Sequence, residues 1–263
     1  VLSRLTRLRA VAVCALPVVA LIATAVFAPL PFSVAQPGMT ANVLGANKGA
    51  QVITISGAPS RRTSGELRMT TIEATSPDAD VSLGDVIDNW FRTDRAVMPR
   101  DSVYPSGNSV KEIERHNVQQ MQQSQDTATR AALGYLDLTD RNIKVTLTLA
   151  DVGGPSAGLL FSLGIVDKLD GDGSGGDLTG GRTVAGTGTI DTDGTVGAVG
   201  GVALKTQAAR RDGATVFLVP RAECADARAE LPKGLRLIPV TTLKGAVDSL
   251  VALEKGTSSV PSC

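Results

Sequence analysis

Residues 143–169, IKVTLTLADVGGPSAGLLFSLGIVDKL, carry the reading that decides the fold. Ile143, Val145, Leu147 and Leu149 alternate with Lys144, Thr146 and Thr148, the pattern of a half-buried strand. A glycine-rich turn, Gly153-Gly154-Pro155-Ser156-Ala157-Gly158, follows, and Pro155 suits the first turn of a helix. From there to Leu169 the chain is apolar nearly all round, which predicts a buried helix. Strand, glycine turn and buried helix in succession argue an α/β fold.

The same alternation of elements continues downstream. Residues 170–181 form a Gly/Asp loop, 184–190 a strand containing Gly186 and Gly188, and Asp193-Gly194 a turn. A helix is predicted over 201–211, buried strands over 215–219 and 235–240, and a closing helix over 241–253. Upstream, 51–56 (QVITIS) and 67–74 (LRMTTIEA) alternate as strands. Residues 82–92 read as a helix with Ser82 as N-cap and Leu83, Val86 and Trp90 on one face. A loop with two prolines covers 96–107, and a long polar helix covers 109–135. The expected division is a basic N-terminus at 1–9, an apolar segment at 10–32, an α+β segment at 36–140, the α/β domain at 141–255 and a tail at 256–263.

The N-terminus bears on compartment. Arg4, Arg7 and Arg9 precede a 23-residue apolar run, and no further charge appears before Lys48. About 20 such residues span a bilayer as a helix. Arginines before the run and a neutral flank after it place the N-terminus in the cytoplasm and the rest of the chain outside. The expectation is a single-pass cell-membrane protein with an extracytoplasmic domain. Ser33-Val34-Ala35 also offers the small residues of a signal cleavage site, a reading that exports the same domain. Cys224 and Cys263 would then face an oxidising space, where pairing depends on their separation.

Composition narrows the function. Lys+Arg and Asp+Glu each number 26, so no overall basic character draws the chain to nucleic acid. Eight aromatic residues leave little for stacking bases. Three cysteines and one histidine are too few for a disulfide scaffold or a Cys-rich zinc site. Ser156 stands between a strand and a helix with glycines on both sides, where unpaired backbone N–H groups and the positive helix end suit a nucleophile beside a developing oxyanion. The plainer reading is an N-cap serine in a glycine turn. A nucleophile needs a base. The single histidine, His116, lies among Glu114, Arg115 and Asn117 in a polar helix, as a solvated residue would. A lysine whose pKa is lowered by burial can serve instead. Lys205 shares a helix face with Val202, Ala208 and Ala209, so it either snorkels or works. Lys168 lies beside Asp167 at a helix end and Lys144 points outward on its strand.

Together, GGPSAG (153–158) and GTGTIDTDGTVGAVGGVALK (186–205) resemble the proteolytic domain of Lon proteases. The resemblance covers about 143–253 and implies that Ser156 is the nucleophile and Lys205 its general base. It places Thr189 where the family carries a strand threonine that supports the lysine. LRMTTIEA, SLGDVIDNWF (82–91), MPRDSVYP (98–105) and MQQSQDTATRAAL (121–133) resemble membrane-anchored Lon-like proteases with an extracytoplasmic catalytic domain. Many of that group insert a PDZ module where residues 136–142 here join the two parts directly. The family's acidic residue three before the nucleophile is replaced by Gly153, with Asp151 two positions further back. The resemblance implies hydrolysis of protein or peptide substrates with no metal or organic cofactor, and it is compatible with a homo-oligomer. A rival is a non-catalytic membrane-tethered adaptor; a second is an esterase or amidase with the same dyad.

Two weaker patterns are set aside. GDLTGGRT (176–183) imitates a phosphate-binding loop, but Arg182 replaces the lysine and a strand follows where a helix is required. Asp170, Asp172 and Ser174 with Gly175 imitate a calcium loop, but Gly181 occupies the position of the bidentate Glu.

Overall fold

The computed structural model describes residues 7–104, 109–149, 154–257 and 260–263. In chain order, α1 (Arg7–Phe27) and β1 (Phe32–Asn42) are followed by a hairpin of β2 (Ala46–Asn47) and β3 (Ala50–Gln51). Then come β4 (Ile53–Ser56), β5 (Glu66–Ala74), α2 (Leu83–Trp90), β6 (Ala96–Pro99), α3 (Arg100–Val103) and α4 (Val110–Tyr135). The segment that decides the fold supplies β7 (Lys144–Leu147) and α5 (Gly158–Leu169). After it come β8 (Thr183–Gly186), β9 (Thr189–Ile190), β10 (Val196–Gly197) and α6 (Val202–Arg211). The chain closes with β11 (Val216–Pro220), a 3₁₀ turn at Arg221–Glu223, α7 (Cys224–Ala229), β12 (Arg236–Val240) and α8 (Leu243–Glu254).

The chain divides into two compact units, one of residues 1–35 and 74–110, the other of 36–73 and 111–263. This differs from the expected break at 140. β5 pairs in parallel with β8, and β4 pairs with β7, so residues 36–73 belong with the α/β elements.

In the smaller unit the apolar run is shared between two elements. α1 stops at Phe27, and by Phe32 the chain is in β1, where residues 32–35 pair antiparallel with β6. Pro29 and Pro31 lack the N–H a continuing helix needs, so the run does not extend as one helix over 10–32. Among the described residues no helix is long and apolar enough to cross a membrane. Val11, Leu16, Val19 and Leu21 of α1 are exposed. Ser82 caps α2 as its sequence predicts: its hydroxyl accepts from the Asp85 N–H at 3.2 Å, and the Asp85 carboxylate accepts from the Ser82 N–H at 2.9 Å. The shared face of that helix is not buried; Trp90 is exposed.

In the larger unit the strand order is β12-β11-β8-β5-β1. The contacts β12 to β11, β11 to β8 and β8 to β5 are all parallel. Alternate residues of β11 serve two cores. Val216 and Leu218 join a cluster with Leu160, Leu163 and Val184, while Phe217 and Val219 join one with Val202, Ala209 and Ala227. With both faces covered, every residue of β11 is buried, which is why the strand reads as an unbroken apolar run. α5 is buried through most of its length, as its sequence predicts. Cys224 and Cys263 are paired in a disulfide with their Cα atoms 5.4 Å apart. The expected strand over 184–190 is two strands, β8 and β9, because the backbone turns at Gly188, whose φ of 152° favours glycine.

Candidate active site

Three segments of the larger unit meet at the site: the turn before α5, the β8–β9 connection and α6. Ser156 sits two residues ahead of α5 and is partly exposed. Its carbonyl accepts two hydrogen bonds from the β8–β9 connection, one from the Gly188 N–H at 2.9 Å and one from the Thr187 hydroxyl at 3.2 Å. The Leu159 N–H returns a bond to the Gly188 carbonyl at 3.1 Å. The other side of the turn is held by α4, whose Ser124 hydroxyl donates to the Pro155 carbonyl at 3.1 Å. Gly158 allows this meeting. A Cβ there would come within 2.9 Å of Ile190 Cγ2 and 3.1 Å of Ser124 Oγ, so a side chain would drive α5 away from β9 and α4.

Lys205 arrives from α6. Helical spacing puts it on the face of Val202, Ala208 and Ala209, all buried, and the lysine itself is only 3% exposed. Its Nζ donates to Thr187 Oγ1 at 3.1 Å. Thr187 therefore takes a hydrogen bond from the lysine and gives one to the backbone of Ser156, with its own N–H fixed on the Leu218 carbonyl at 3.1 Å. Burial removes water from the ammonium and lowers the Lys205 pKa to about 8; the Glu223 carboxylate opposes the shift. Glu223 stands next to Cys224, and its Oε2 is buried without a hydrogen-bond partner. Burial in turn raises the Glu223 pKa, while Lys205 draws it down.

The threonine on the lysine is thus Thr187. Thr189, expected there from the resemblance, pairs across β9 and β10 with Gly197. The two threonines lie two positions apart, so strand alternation gives them the same face, and only the turn at Gly188 separates their roles. Sequence reasoning also passed over Glu223, which no local pattern connects to Lys205. Among the described residues no hydrogen bond joins His116 to Ser156. Lys144 is exposed on β7, and the Lys168 carbonyl accepts from the Arg61 N–H. Asp151 and Gly153 lie outside the described residues.

The two weaker patterns fall in the loop between α5 and β8. Residues 176–183 lead into β8. The Asp172 carboxylate is taken up by the Ser174 N–H, the Ser174 hydroxyl and the Gly176 N–H. Among the described residues no group of three or more His, Cys, Asp or Glu is placed to hold a metal.

Residues 117–252, just over half the chain, match the family model of the Lon protease (S16) C-terminal proteolytic domain. The chain belongs to this Lon family. The match spans most of α4, the Ser156 turn, the β8–β9 connection, α6 and most of α8, so every group around Lys205 lies inside it. The mixed α/β architecture is consistent with a Lon proteolytic domain, and membership points to serine peptidase activity.

Proposed function

We propose that this protein is a Ser/Lys endopeptidase of the Lon type that hydrolyses protein or peptide substrates, with Ser156 as nucleophile and Lys205 as general base. The observation that carries the proposal is a lysine almost wholly removed from water, one threonine hydroxyl away from the backbone of Ser156. A lysine with a pKa near 8 is half neutral at that pH, and neutral lysine accepts a proton. In the first step Lys205 takes the Ser156 proton as the hydroxyl oxygen bonds to the scissile carbonyl carbon. The charged lysine then returns that proton to the departing amine as the C–N bond breaks, leaving an ester on Ser156. Water attacks the ester, gives its proton through Lys205 back to Ser156, and releases the carboxylic product. The Gly158 and Leu159 N–H groups already donate to the Pro155 and Gly188 carbonyls, so the oxyanion falls to the N–H groups of Ser156 and Ala157 in the turn before α5. The reaction calls on no metal or organic cofactor.

The setting we propose is extracytoplasmic, with α1 holding the chain to a membrane. The Cys224–Cys263 disulfide supports an oxidising compartment, and the outward-facing apolar residues of α1 support membrane attachment. A homo-oligomer fits the family's habit. The test is hydrolysis of casein and a mixed peptide library without ATP by the full chain, Ser156→Ala and Lys205→Ala. The proposal expects cleavage by the parent and none by either variant. Undiminished cleavage by Lys205→Ala would remove the lysine from the mechanism, and inactivity of the parent in detergent and in vesicles would favour the adaptor reading.

A further inference from the structure

The proton chemistry leaves unused a cavity that adjoins the Ser156 turn. It is a cleft of about 240 Å³, open to solvent on one side, and is lined by Gln120, Gln123, Ser124 and Thr127 of α4, by Pro155, and by residues 189–191. Both of its walls touch the groups that fix Ser156. Pro155 directly precedes the serine, and Gly188, which donates to the Ser156 carbonyl, directly precedes Thr189. The volume is below that of a pocket for a whole drug-sized ligand and suits one side chain.

Its chemistry is polar on both sides. The four α4 residues recur at i, i+3, i+4 and i+7, a single helix face. On the facing strand Ile190 is 5% exposed and belongs to the core, so alternation turns Thr189 and Asp191 away from the core. Asp191 is the one charged residue among those lining the cavity. Its carboxylate, like the side-chain amides of Gln120 and Gln123, makes no hydrogen bond among the described residues. A carboxylate and two amides left open around a side-chain-sized space form a receptor for a cationic, hydrogen-bonding group.

We infer that this cavity receives the substrate side chain next to the scissile bond and selects lysine or arginine there through Asp191. The inference rests on the serine peptidase reading for its register on the substrate, but not for the binding itself. The test uses peptides identical except for Lys, Arg, Gln, Leu or Glu at each position flanking one bond. Hydrolysis is measured with the full chain and with Asp191→Asn and Asp191→Lys. Binding of the same peptides to the Ser156→Ala chain, with and without Asp191→Asn, is measured by calorimetry. Asp191 is exposed, so its replacement leaves no buried group unpaired. The expected result is a Lys-over-Leu preference of about fivefold in kcat/KM at one flanking position, the scale of one solvent-accessible charge pair. Asp191→Asn reduces the Lys-over-Gln ratio to about one, and Asp191→Lys turns the preference toward Glu. Ser156-dependent hydrolysis that is indifferent to Asp191 would overturn the inference and leave the peptidase reading standing. Lys-selective binding that Asp191→Asn abolishes, without hydrolysis by the parent, would keep the subsite and overturn the peptidase reading. Absence of both selective binding and hydrolysis would overturn both.

Discussion

Lys205 and Asp167 lie in the same unit, each almost cut off from water, and they are served very differently by their surroundings. Asp167 is fully buried at the end of α5. Its Oδ1 accepts the Leu178 N–H at 2.8 Å, and Arg61 Nη1 approaches the same oxygen at 3.9 Å. Arg61 continues outward to the Gly175 carbonyl and the Asp177 carboxylate, so the aspartate and the arginine fasten the Gly/Asp loop to the fold. Even so, burial raises the Asp167 pKa to about 6, ahead of the opposing Leu178 hydrogen bond. Lys205 has one hydroxyl and a more distant carboxylate, and burial lowers its pKa to about 8, so a neutral fraction is within reach just above neutrality. Desolvation acts on both groups. At Asp167 it accompanies a scaffold, and at Lys205 it lowers the pKa of the proposed base. A shifted pKa alone therefore does not mark a catalytic residue; what distinguishes the two is the Thr187 hydroxyl that links Lys205 to the backbone carbonyl of Ser156.

Replacing each group should have opposite consequences. Lys205→Met is expected to lower kcat/KM on peptides by about 10³-fold, within the range for loss of a general base. The same variant should unfold at higher denaturant at pH 7. A lysine pKa lowered to about 8 corresponds to a penalty of up to about 3 kcal/mol, which an apolar chain of similar size removes. Loss of both activity and stability would mean that Lys205 is structural. Asp167→Asn is expected to hold kcat/KM within about twofold and to change the pH dependence of stability. A carboxyl raised on folding stabilises the native state below its unfolded pKa, and that contribution is lost as pH rises through about 6. The stability difference between parent and Asp167→Asn should therefore shift by up to about 3 kcal/mol between pH 4 and pH 7, in favour of the variant at pH 7. Denaturant titrations at the two pH values measure it, and a difference that does not move would contradict the assignment.

Variants at the two threonines separate their roles. Thr187→Val removes the hydroxyl between Lys205 and Ser156 and should lower kcat about tenfold with little change in KM, the scale of one lost hydrogen bond to a charged group. Thr187→Ser should restore most of it, and Thr189→Val should cost less than about twofold. The reverse ranking would return the supporting role to Thr189. The smallest effect belongs to Glu223→Gln. The Glu223 charge raises the Lys205 pKa, so its removal moves the acid limb of the rate profile to lower pH and increases activity at pH 7 by about twofold.

Legibility in the sequence followed the locality of each signal. The Ser156 turn, α5 and β11 were readable because their patterns are local: a glycine-rich turn, an apolar run and a strand buried on both faces. Lys205 was readable because helical spacing placed it on a small apolar stripe, and the linked motifs then paired it with Ser156. Thr187 was not, since it and Thr189 share strand parity and the turn at Gly188 is a three-dimensional fact. The strand over 32–42 went unassigned because Pro31, Pro37 and Gly38 interrupt any strand alternation there. The Cys224–Cys263 pairing and the reach of Glu223 toward Lys205 both depend on how α7 and the C-terminus pack, which no local pattern encodes.

Lys205 is proposed as the base for Ser156 because burial lowers its pKa to about 8 and so supplies a neutral fraction that an exposed lysine lacks. The most direct measurement is kcat/KM for peptide hydrolysis from pH 5.5 to 9.5, with Ser156→Ala as the zero. The account predicts activity that rises with pH through a single ionisation near pH 8 and levels above it, since the base works only when deprotonated. A Ser156-dependent rate that is flat across this range, or that falls as pH rises through 8, would contradict it.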